Sequence, residues 1–151
     1  MFRLSKKADE WTKDIVGESP FVLKLDIYYL FLLVGLTAKK SSAFTDFGKD
    51  INNSFPAEFK AQQKLIINFL LISRKKLLAI PDDDKQRIRS ELLEKYIDPE
   101  TNSFTLEGRN LSNEYANAGF EILENLMASP RDASAFLHTC LEKIKELEKK
   151  F

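Results

Sequence analysis

One stretch limits what this chain can fold into: LKLDIYYLFLLVGLTAKK, from Leu23 to Lys40. Between Asp26 and Lys39 lie 12 uncharged residues, Ile27 to Ala38, nearly all apolar. A membrane-crossing helix needs about 20 consecutive apolar residues. This run is too short, so no membrane span is expected. An amphipathic surface helix would show one apolar stripe and one polar face. Ile27 to Val34 has no polar side apart from the tyrosine hydroxyls. The remaining reading is a helix enclosed on most sides by other elements. With only 5 Gly and 5 Pro in 151 residues, long helices are favoured over many tight turns. The expected fold is therefore all-α: one domain over 1–151, a bundle of about five or six helices with a short N-terminal strand.

Local signals place the elements. An extended piece at Phe2–Leu4 precedes Ser5, which stands as an N-cap before Ala8, Trp11 and Ile15 at helical spacing. Gly17 is expected to end that helix. Ser19-Pro20 reads as cap plus first-turn proline for the apolar helix, and Ser129-Pro130 as the same device for the last one. Phe44, Phe47, Ile51 and Phe55 recur at spacings of three, four and four, which predicts a short helix. Pro56 opens a second strongly apolar helix running to Ile80. A further amphipathic segment spans Asp82 to Ile97, and DPETNS is turn chemistry, with Ser103 or Thr105 capping the helix that follows. That helix carries two stripes, Leu111, Tyr115, Ala118, Ile122 and Ala116, Phe120, Leu123, Met127. Gly119 in YANAGFE costs a helix interior roughly 1 kcal/mol against alanine, so close helix–helix approach is the expected reason for it.

No arrangement of residues points to catalysis or a cofactor. His138 and Cys140, the single histidine and single cysteine, are two residues apart on a helix and point about 200° apart around its axis, so they cannot share a metal. The stretch from Asp98 to Arg109 has Ser103 where a calcium loop needs glycine and Arg109 where it needs glutamate. Asp82 to Asp84 suit a helix N-terminus, and the glycines form no phosphate loop. One cysteine and no signal peptide at the N-terminus give the expectation of a cytoplasmic protein without disulfides.

Two kinds of surface remain. The formal net charge is zero, but residues 1–80 carry an excess of five cations and residues 81–151 an excess of five anions. Arg3, Lys6, Lys7, Lys13, Lys39, Lys40, Arg74, Lys75 and Lys76 are candidate phosphate contacts. Lys39, Lys40 and the 74–76 cluster also suit helix C-terminal dipoles. The second surface is apolar. Two helices without polar faces and 12 phenylalanines exceed what six helices readily enclose. Another chain, either a second copy or a different subunit, is expected to cover Tyr28, Tyr29, Phe31, Phe44, Phe47, Phe55 and Phe69.

The opening FRLSKKADEWTKDI, a turn, and the helix DIYYLFLLVGL resemble the start of the small DndE-type proteins of bacterial DNA phosphorothioation and related defence operons. The order of strand, helix, helix is also shared with ribbon-helix-helix DNA binders. The first resemblance covers about a quarter of the chain. It implies a small, helical, non-catalytic subunit acting beside DNA-handling enzymes, with Arg3, Lys6 and Lys7 as candidate phosphate contacts. The expected function is thus a scaffolding subunit of a multi-protein or homo-oligomeric assembly. The competing expectation is direct nucleic-acid binding through the basic N-terminal half.

Overall fold

The computed structural model describes residues 2–21, 23–51, 90–91, 94–98 and 104–149. The expectations for Phe55, Phe69, Arg74, Lys75, Lys76, the helix from Pro56 to Ile80 and the aspartates 82–84 lie outside the described residues. What is described is mainly helical, joined to a small antiparallel sheet. Strand β1 (Arg3–Ser5) leads into helix α1 (Lys6–Trp11), helix α2 (Lys24–Ala38) and strand β2 (Phe47–Asp50). Residues 94–96 are helical and lead into Ile97, which bridges to Phe104. Helices α3 (Leu106–Leu126) and α4 (Ala133–Glu148) follow.

Ser5 caps α1 as its sequence position predicts, its Oγ accepting the Ala8 amide at 3.0 Å. The helix stops at Trp11, well before Gly17, and a run of turns carries the chain through Gly17 at φ +92°. The apolar helix begins at Lys24 rather than at Pro20, which follows a cis peptide in a turn. Its first-turn Asp26 accepts the Leu23 amide at 2.8 Å. The last helix likewise starts later than its serine-proline pair. Asp132 is the cap, accepting from the Ser134 and Ala135 amides at 2.9 and 3.2 Å. Ser129 instead donates to the Trp11 carbonyl at 2.5 Å. Thr105 caps α3 through the Gly108 amide at 3.0 Å.

The expected short helix around Phe44–Phe55 is replaced, over Phe47–Asp50, by β2. This strand pairs antiparallel with β1, Arg3 opposite Asp50 and Ser5 opposite Phe47, with a bulge between. Helical spacing of the phenylalanines gave way to one tertiary demand and one local one. The backbone of β1 needed a partner, and Gly48 is a poor helix former. Asp9 of α1 fixes the bulge: its Oδ2 accepts the Lys49 amide at 3.0 Å, and its Oδ1 lies 2.6 Å from the Lys24 ammonium of α2. A Cβ on Gly48 would fall on that carboxylate, which would have to swing away and give up its place at the Lys49 amide.

The core sits around α2, of which ten residues are buried, among them Leu25, Ile27, Leu30, Leu32, Val34 and Leu36. Trp11, Phe31, Phe120 and Phe136 form an aromatic cluster with ring centroids 5.5 to 6.3 Å apart. Helix α3 crosses α2 at two mutual notches. A Cβ on Gly35 would strike the Tyr115 carbonyl, and one on Gly119 would strike the Phe31 carbonyl. Close approach is therefore the reason for Gly119, and Gly35 is its counterpart. Among the described residues no helix is long and apolar enough to cross a membrane.

Candidate functional site

Part of each expected surface lies at the β1–β2 sheet. Arg3 begins β1, Lys6 and Lys7 open α1, and Phe47 begins β2. The cations are not free. The Arg3 guanidinium pairs with Asp50 and lies over the Phe47 ring, 5.2 Å from its centroid. Lys6 reaches Asp46 at 3.5 Å, Lys7 reaches Glu124 at 3.0 Å, and Lys13 reaches Glu10 at 2.6 Å. The Glu10 hydrogen bond and charge raise the Lys13 pKa. Such exposed pairs are individually weak in stability. Electrostatically, though, each carboxylate cancels much of the positive potential that a phosphate would seek.

Lys39 and Lys40 lie elsewhere, at the C-terminal end of α2. Lys39 takes a left-handed conformation, φ 56° and ψ 39°, and the Lys40 amide reaches back to the Gly35 carbonyl at 3.1 Å. This is a Schellman-type ending, whose left-handed position glycine usually fills. The following residues are lashed to α3. The Ser42 amide donates to the Glu114 carbonyl at 3.0 Å, its Oγ to Glu121 at 3.0 Å, and Asn117 donates to the Ser42 carbonyl at 3.2 Å. Lys39, Lys40, Ser41, Ser42, Ala118, Glu121, Ile122 and Asn125 line a surface cleft of about 390 Å³.

The aromatic candidates divide. Tyr28 and Phe31, expected to meet another chain, are 0% exposed and occupied by the chain's own core. Tyr28 has a buried polar niche: its hydroxyl is 2.7 Å from Ser112 Oγ and donates to Asn113 Oδ1 at 2.8 Å. Asn113 Oδ1 also accepts the Arg3 amide at 3.0 Å, tying β1 to both helices. Burial pushes the Tyr28 pKa far upward, so the hydroxyl keeps its proton. Tyr29 is half-buried, and burial raises its pKa as well. Phe44 is half-buried, 5.3 Å from Phe47 in an edge-to-face contact. Phe47 is 44% exposed and, among the described members of the set, is the aromatic that reaches solvent most openly.

His138 is exposed and contacts Glu142 at 3.1 Å, whereas Cys140 is buried, which pushes its thiol up to about 12. The two point apart, as their spacing predicts. Among the described residues no three His, Cys, Asp or Glu side chains are grouped to hold a metal ion. Sequence reasoning missed Asp9 and the Ser112–Asn113 pair. An acid in the first turn of a helix carries no signal of its own, and the partners of Ser112 and Asn113 lie 84 residues or more away in sequence. Against protein-family models, curated proteins and solved structures, the chain has no match.

Proposed function

We propose that this chain is a non-catalytic helical subunit that works by contact with another protein chain. The observation that carries the reading is the contrast on the sheet face. Its cations Arg3, Lys6 and Lys7 are held by Asp50, Asp46 and Glu124, while Phe47 stays exposed beside Phe44. Phosphate binding draws its strength from unneutralised cations that release counterions. Protein interfaces instead centre on aromatic anchors ringed by paired polar groups. The resemblance of the first forty residues to DndE-type proteins suggests the setting, a cytoplasmic assembly in bacterial DNA modification or defence. In that setting the chain would position enzymes rather than carry out their chemistry.

Phe47→Asp tests this. The variant is expected to keep the thermal midpoint and far-UV spectrum of the parent, because Phe47 lies outside the core. The parent is expected to co-purify with a second polypeptide from its native cells, and the variant to lose it. Duplex DNA should bind neither protein measurably at low salt. Strong DNA binding that falls steeply with salt, and that disappears when Arg3, Lys6 and Lys7 are neutralised, would instead establish the competing reading of a direct nucleic-acid binder.

A further inference from the structure

We draw no further inference here: the strongest candidate, the cleft between the Lys39–Ser42 segment and α3, sets surface lysines against the Glu121 carboxylate and has in its lining no buried, unpartnered polar group that would select a ligand.

Discussion

Tyr28 shows how one residue can be misjudged from its neighbours in sequence. In an apolar helix it reads as an aromatic awaiting another surface. In the fold its single proton goes to Asn113, leaving its oxygen to accept from Ser112, so both polar groups of α3 are satisfied away from water. Removing the Tyr28 hydroxyl takes from buried Ser112 Oγ its contact at 2.7 Å and leaves Asn113 Oδ1 with the Arg3 amide, a loss of about 1–3 kcal/mol. Tyr28→Phe should therefore lower stability by that amount in urea unfolding, although it adds no cavity and removes only one oxygen. Lys39 behaves oppositely. A non-glycine residue in the left-handed region costs roughly 1–2 kcal/mol, so Lys39→Gly should stabilise the protein by about 1 kcal/mol after the added chain entropy. A higher midpoint of thermal unfolding would show it.

Among the elements, the contact of α2 with α3 depends most on the absence of side chains. Gly35 and Gly119 each accept the carbonyl of a residue one turn before the other, Tyr115 and Phe31. Gly119→Ala gains up to about 1 kcal/mol in helix propensity, yet the methyl would meet backbone that cannot step aside. The expected result is a net loss of at least about 2 kcal/mol, from forced overpacking, measured by chemical denaturation. A stabilised variant would mean that the helices are not in contact there. Much of this level was legible in the sequence. Ser5 announces its cap, Thr105 is one of the two caps the sequence offers for α3, and both stripes of α3 turn inward. Gly119 declared a close approach before its counterpart was known. What was not legible depended on distant partners. The helical spacing of Phe44, Phe47 and Ile51 could not reveal that β1 would claim the segment as a strand. The serine-proline pairs at 19–20 and 129–130 precede their helices without capping them: Pro20 lies in a turn three residues before Leu23, and Asp132 supplies the acceptor that caps the last helix. Of the candidate site, the identity of the cations could be read from sequence, but not their pairing, since Asp46, Asp50 and Glu124 reach them through the fold.

At the scale of the whole molecule, the N-terminal segment is woven into the C-terminal helices. The Arg3 amide bonds to Asn113, Trp11 packs 5.5 Å from Phe120, and Lys7 meets Glu124. The opposite charges of the two sequence halves meet directly at that last pair. The other N-terminal ion pairs are local, closing within residues 3–50. Among the described residues, the paired carboxylates reduce the positive potential that the sheet face presents to a polyanion. That face retains an aromatic, Phe47, suited to a partner's apolar pocket. The most direct test is site-specific photo-cross-linking in native cells, with the reactive side chain at position 47 and a control at exposed Ser134 on α4. The account predicts a discrete protein adduct from position 47 and none from position 134. No protein adduct at position 47, or an adduct to nucleic acid there, would contradict it.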